Sequence, residues 1–190
     1  MGQSKFDKHY YFGKVYKNYD TFLNFKKLAK DLIKQYSFNS FLDIGCGCGN
    51  FTKEIKRQLE KKYKRQCNVR GVDLSEYAVK KANVSFVSVA DCRQLPFPDS
   101  SFDLVHILGT FAYLESKKDV LEAIKEAYRV CRKKIVFEDV YNIPEKSSDD
   151  YDPYRIQFLN QNEWRKLWLE VLKRGDKIEF NKEEIIISKS

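Results

Sequence analysis

Residues 41–50 read Phe41-Leu42-Asp43-Ile44-Gly45-Cys46-Gly47-Cys48-Gly49-Asn50. A short apolar run ends in an acid, passes through glycines at alternate positions, and opens into a stretch with helical character, Phe51 to Tyr63. Glycine lets the backbone turn tightly and approach a ligand without a Cβ in the way. An acid two residues before the first glycine suits a ligand that carries a cationic group. A dinucleotide fingerprint needs a third glycine three residues beyond the second. That position is Asn50 counted from Gly45 and Gly47, and Thr52 counted from Gly47 and Gly49, so the fingerprint fails in both registers.

Working outward, Leu23 to Tyr36 places apolar residues at steps of three and four, which predicts a helix, and Ser40 to Ile44 predicts a buried strand. Further strands are expected over Val69–Leu74, Val84–Ala90, Phe102–Leu108 and Lys134–Val140. Helices are expected over Phe51–Tyr63, over Glu76–Ala82 with Ser75 as cap, over Lys118–Val130, and over Asn162–Lys173, with Gly175 as the stop. Val130 to Lys134 reads as a helix–strand turn, and Asn142 to Pro153 as polar and irregular. Lys177–Phe180 and Glu184–Ser188 form an expected hairpin around Asn181-Lys182. Alternating strands and helices predict an α/β doubly wound sheet, mostly parallel, with helices on both faces and an antiparallel C-terminal hairpin strand. One domain is expected over residues 1–190, with residues 1–36 as an aromatic and helical cap. In such sheets ligands bind at the carboxyl ends of the strands, so the loops leaving strands one to five matter most.

The chain of 190 residues is 43% hydrophobic and 33% charged, a globular and not a disordered composition. No apolar run is long enough to span a bilayer, so no membrane partner is expected. Five cysteines, Cys46, Cys48, Cys67, Cys92 and Cys131, without a repeated CxxC, fit free thiols in a reducing, cytoplasmic setting. Cys46 and Cys48 lie inside the glycine loop with no second Cys or His pair at zinc spacing, so no metal is expected. The net charge of +8 is uneven: Lys53, Lys56, Arg57, Lys61, Lys62, Lys64 and Arg65 face only Glu54 and Glu60. A basic patch can mark nucleic acid, or it can be a solvated helix face.

Asp43 to Gly49 resembles the first motif of the class I S-adenosylmethionine (SAM)-dependent methyltransferases. The resemblance spans residues 40–140, with the motifs in order, and implies a Rossmann-like fold. It implies that the loop of Asp43, Gly45, Cys46, Gly47 and Gly49 cradles the amino-acid portion of SAM. Asp73, beside Leu74 at the end of the second strand, would accept the ribose hydroxyls. Asp91 would bond the adenine amino group, with the Cys92 amide reaching the ring, and Leu108 and Gly109 would line the same pocket. Each acid taken alone also fits a cap or a turn. Three in order after three strands, beside a triple-glycine loop, fit that explanation poorly. Asp73 follows Gly45 by 28 positions, against about 20 for a dinucleotide site; the charged stretch 60–68 accounts for the excess as a surface extension.

Many members of that family carry an acid and a histidine after the fourth strand. Here Gly109 and Tyr113 stand in those places, which argues against a histidine-based or metal-assisted mechanism. Methyl transfer needs in-line placement more than a strong base. Tyr113 and Asp139, at strand ends, are the expected substrate-contacting residues. His106 in mid-strand is expected to be a core histidine, and His9 lies in the aromatic N-terminal segment. Tyr11, Tyr16 and Tyr19 either pack as core or cap the cofactor and exclude water. Asp152-Pro153-Tyr154-Arg155-Ile156 is similar to a segment of glycan-modifying bacterial methyltransferases and would bring Tyr154 or Arg155 to the acceptor. The expected partner is a small molecule, a sugar or another metabolite, with S-adenosylhomocysteine as product. RNA methylation and non-catalytic SAM binding are the alternatives.

Overall fold

β1 (Ser40–Ile44) is buried at every residue, as its uninterrupted apolar run requires. It belongs to a computed structural model that describes residues 5–13, 19–21, 23–139, 152–181 and 184–190. The chain divides into two compact units, residues 1–91 and 92–190.

In the first unit β1 pairs in parallel with β2 (Asn68–Asp73), and β2 pairs in parallel with β3 (Val87–Val89). α3 (Asn50–Tyr63) connects β1 to β2, and α4 (Glu76–Ala82) connects β2 to β3. The Ser75 hydroxyl caps α4 by accepting from the Ala78 amide at 3.0 Å. α2 (Phe25–Gln35), capped by Asn24, buries Ala29, Leu32 and Ile33. It lies beside α3: Gln58 Nε2 donates to the Lys26 carbonyl at 3.0 Å, and Lys62 Nζ to the Ile33 carbonyl at 3.4 Å. A further five-residue helix, α1 (Lys8–Phe12), is capped by Asp7 and is too short for any periodicity to announce.

The third strand is shorter than the expected Val84–Ala90. Asn83 takes a left-handed conformation at φ 52° to end α4, and Val84 to Phe86 form the turn that follows. Val84 and Phe86 are apolar because they pack on Cys46, Ala82 and Val87.

In the second unit β4 (Phe102–Leu108) and β5 (Cys131–Glu138) are parallel and joined by α5 (Lys117–Val130). β7 (Ile185–Ser188) runs antiparallel to β5, and β6 (Lys177–Phe180) antiparallel to β7. The expected turn over Val130–Lys134 does not form. α5 ends at Val130 and β5 begins at Cys131, whose amide still bonds the Ala127 carbonyl. α6 (Gln161–Leu169) starts from an Asn160–Glu163 capping box and stops short of Lys173. The Trp168 carbonyl accepts from both Val171 and Leu172, which closes the helix early. Gly175, at φ 103°, serves the turn into β6 instead. Trp164 and Trp168 are fully buried against Phe137, with ring centroids 4.9 and 5.5 Å away. Residues 142–151 and Lys182 of the expected loop and hairpin lie outside the described residues. No described helix is long and apolar enough to cross a membrane.

Candidate functional site

Gly45, Gly47 and Gly49 all have positive φ, at 74°, 52° and 71°. That region is costly for side chains with a Cβ, so the alternate glycines of the sequence are required by the path itself. The amides of Gly45 and Cys46 both donate to the Val72 carbonyl, at 2.8 and 3.0 Å, which folds the loop over the end of β2. Gly49 then opens α3, whose first amides face the loop.

Asp43 is buried beneath this loop and accepts from the Thr52 hydroxyl at 2.6 Å. Thr52 escaped notice as a site residue in the sequence, because a threonine one turn into a helix is unremarkable. Gly71 escaped too. A Cβ there would lie 2.9 Å from both Cys46 Sγ and Thr52 Oγ1, so β2 needs a glycine for the loop to pack on it. A glycine inside a strand is the signal for such close approach.

Asp73 ends β2 with its carboxylate enclosed. Oδ2 accepts from the Gly47 amide and Oδ1 from the Ser75 amide, both at 2.8 Å. The Tyr11 hydroxyl lies 3.5 Å from Oδ1. Burial pushes the Asp73 carboxyl above its ordinary pKa, against the pull of the Ser75 and Gly47 amides. Leu74, next in sequence, is exposed. The Ala90 amide donates to the Asp73 carbonyl at 3.0 Å, which sets half-buried Asp91 just beyond the neighbouring strand end. Asp43, Asp73 and Asp91 thus lie at the carboxyl ends of three adjacent parallel strands.

Tyr11 and Tyr19 pack edge to face at 4.8 Å, and Tyr11 stacks on Tyr77 at 6.3 Å. A Cβ on Gly47 would meet the Tyr19 hydroxyl at 1.9 Å, so that hydroxyl rests on the loop backbone. Burial, and then Asp73, push both phenols up, so they stay protonated donors. Tyr16 lies outside the described residues. Burial likewise raises the Cys46 thiol and lifts Cys48 to about 12. Both are packing groups and not nucleophiles at neutral pH.

In the second unit Leu108 is exposed at the end of β4, and Gly109 takes φ 56° while donating its amide to the Glu138 carbonyl at 2.7 Å. Tyr113 sits in a 3₁₀ turn over Phe111–Tyr113, and its hydroxyl donates to Asp152 Oδ2 at 2.6 Å. Buried Asp139 pairs with Arg155, Nη2 to Oδ1 at 2.9 Å. The Ile156 and Gln157 amides bond the Ala112 carbonyl, and Gln157 Nε2 bonds the Leu114 carbonyl, so residues 152–157 bind the 3₁₀ turn. Tyr113, Asp152, Arg155 and Asp139 therefore belong to one polar cluster, with Tyr154 exposed at its edge. His106 is buried, with Nε2 3.0 Å from Glu138 Oε1. Burial raises the Glu138 carboxyl, and the hydrogen bond and charge of His106 outweigh it to leave it low. His9 is exposed against Asp7. Cys92 is half-buried. Among the described residues no group of three or more His, Cys, Asp or Glu side chains is placed to hold a metal.

The first unit's groups fit an adenosyl amino-acid cofactor. The glycines of the bend carry no Cβ, α3 opens directly from that bend, and an enclosed carboxylate stands at the end of β2. A model of the methyltransferase-domain family matches residues 42–137. Demethylmenaquinone methyltransferase of Geobacillus is 30% identical over 153 residues, 70% of this chain and 62% of that protein. The 25S rRNA (adenine(645)-N(1))-methyltransferase of Saccharomyces cerevisiae is 36% identical over 95 residues, 46% of this chain and 22% of that protein. The chain spans less than two thirds of the length of these curated relatives. A Methanococcus maripaludis protein assigned as a SAM-dependent methyltransferase superposes with a TM-score of 0.68 at 22% identity, covering 100% of this chain and 96% of that one. That likeness shows the Rossmann-like fold. The chain belongs to the class I SAM-dependent methyltransferases.

Proposed function

We propose that the chain transfers a methyl group from SAM to a small-molecule acceptor, a sugar or another metabolite, by in-line attack. SAM supplies a methyl already activated on a sulfonium. The supporting observation is the enclosed Asp73 carboxylate, fixed by the Gly47 and Ser75 amides beside the glycine cradle. In this reading the loop amides and Asp43 hold the amino-acid end, Asp73 and Leu74 hold the ribose, and Asp91, Cys92, Leu108 and Gly109 border the adenine. Tyr11 and Tyr19 exclude water from the loop, and Tyr16 shares that role.

Tyr113 and Asp139 serve the acceptor. The Tyr113–Asp152 hydrogen bond orients a phenol that can bond an acceptor oxygen or nitrogen and pass a proton toward the carboxylate. Asp139 fixes the Arg155 guanidinium. No metal takes part, and the chain works in the cytoplasm, where its five free thiols stay reduced. The menaquinone relative, which matches most of the chain, supports a small acceptor. The yeast relative supports a second reading, methylation of RNA.

Titration calorimetry with S-adenosylhomocysteine tests the cofactor site: binding is expected, and none at millimolar ligand would sink it. Labelled SAM offered in parallel to a metabolite extract and to RNA tests the acceptor. Label in the metabolite pool is expected, label in RNA alone selects the second reading, and label in neither leaves a binding protein.

A further inference from the structure

We propose that the paired outer helices α2 and α3 form a docking face for the phosphodiester backbone of a nucleic acid. α2 carries Lys26, Lys27, Lys30 and Lys34. Residues 53–65 add seven more cations, and the only acids on the two segments are Asp31, Glu54 and Glu60. Eleven cations against three acids leave +8, which equals the net charge of the whole chain. All other residues balance to zero. The sequence shows the two basic segments as separate stretches; the packing of α2 on α3, through Gln58 to Lys26 and Lys62 to Ile33, sets them side by side, while half-buried Lys53 and Lys56 reach the Cys48 and Cys67 carbonyls.

The acids present do little to neutralise it. Glu54 is taken by Arg57 at 2.8 Å and Glu60 by Lys56 at 2.5 Å. Lys27, Lys30, Lys34, Lys61 and Lys64 are exposed, with no carboxylate partner among the described residues. Helix-terminal charge accounts for Lys61 and Lys62 at the end of α3, but not for lysines along the full length of α2. A merely solvated face mixes its signs, because like charges repel and destabilise the fold. Segregating the whole surplus on one helix pair has a use only if an anion neutralises it.

The chemistry of the face favours nucleic acid. α3, with 14 residues, is about 21 Å long, room for roughly six phosphates of one strand. Nine of the eleven cations are lysines, point charges that contact phosphates without the bidentate geometry that reads bases. A bilayer-docking helix needs large apolar residues beside its cations. Leu28 is the single exposed large hydrophobic among the described residues of α2 and α3. A hollow of about 630 Å³ opens where both helices begin, with Lys26, Lys53 and Arg57 on its wall beside Asp20 and Glu54. This docking does not depend on which acceptor is methylated.

The test is fluorescence anisotropy of the full chain, without SAM, on labelled 20-nucleotide single-stranded RNA and DNA of matched sequence between 50 and 300 mM KCl. Binding to both, within about threefold of each other, is expected, with log affinity falling against log salt with a slope of roughly −3 to −4. Replacing Lys27, Lys30, Lys34, Lys61 and Lys64 together by Gln should weaken binding at least about tenfold and flatten that slope. Replacing the same five by Arg should retain binding. A control with Lys80, Lys118, Lys125, Lys166 and Lys177 replaced by Gln removes equal charge elsewhere and should cost less than about threefold. Salt-independent binding, equal losses in the two Gln variants, or tighter binding to phosphatidylserine vesicles than to RNA at the same salt would overturn the proposal.

Discussion

The Gly47 amide and the Asp73 carboxylate are joined at 2.8 Å, so the middle of the glycine loop is tied to the end of the neighbouring strand. Asp73 is thereby both a structural strut and, in the proposed function, a ligand contact. Its second oxygen is held by Ser75 as firmly. A carboxylate already satisfied by two amides does not rotate, which is the preorganisation a binding site requires.

Gly47→Ala should abolish S-adenosylhomocysteine binding, because the new methyl would lie 1.9 Å from the Tyr19 hydroxyl at a φ of 52°. Gly109→Ala is the contrast. Its φ of 56° is equally left-handed, but nothing lies within 4 Å of an added Cβ. It should lose only about 1–2 kcal/mol of stability, read by urea denaturation.

Asp73→Ala should weaken S-adenosylhomocysteine by roughly 10- to 100-fold, since it removes a charged acceptor. Burial raises the Asp73 pKa, so its charge is lost on acidification earlier than that of an exposed carboxylate. Wild-type affinity should therefore fall on acidification at a higher pH than an exposed carboxylate would dictate, while the residual affinity of the variant changes less. The folding contribution has the opposite sign: a raised carboxyl destabilises the neutral fold and is relieved in acid.

Glu138→Gln should destabilise the protein at pH 7 and much less at pH 3.5. The Glu138 pKa stays below 4.5 through His106, so its contribution is present above that value and fades as pH falls through the lowered one. Chemical denaturation of both proteins at the two pH values checks this.

Arg155→Met should cost about 3–5 kcal/mol, because it removes the cation paired with the buried Asp139 carboxylate. Asp139→Asn in the same background should recover part of the loss, a coupling that a double-mutant cycle measures.

Much of this was legible in the sequence, for reasons that differ by region. β1, β4 and α4 begin and end where the apolar runs and Ser75 place them, since strands buried on both faces read as continuous apolar stretches. The glycine loop was legible because positive φ leaves glycine as the ready choice. The shortening of β3 was not, because Val84 and Phe86 owe their apolar character to packing on Cys46, Ala82 and Val87 and not to a place within the strand. Tyr113 and Asp139 could be picked as strand-end polar residues, but their ties to Asp152 and Arg155 could not. Those partners are distant along the chain and are brought in by the segment bound to the 3₁₀ turn. Thr52 and Gly71 act through the far side of the loop, and no spacing rule reaches there.

The two loop thiols have a practical consequence. With Cys46 and Cys48 held protonated and almost fully enclosed, alkylating reagents have nothing to attack while the loop is closed. Their slow labelling therefore times how often the glycine bend breathes open, and a bound nucleoside should lengthen that interval.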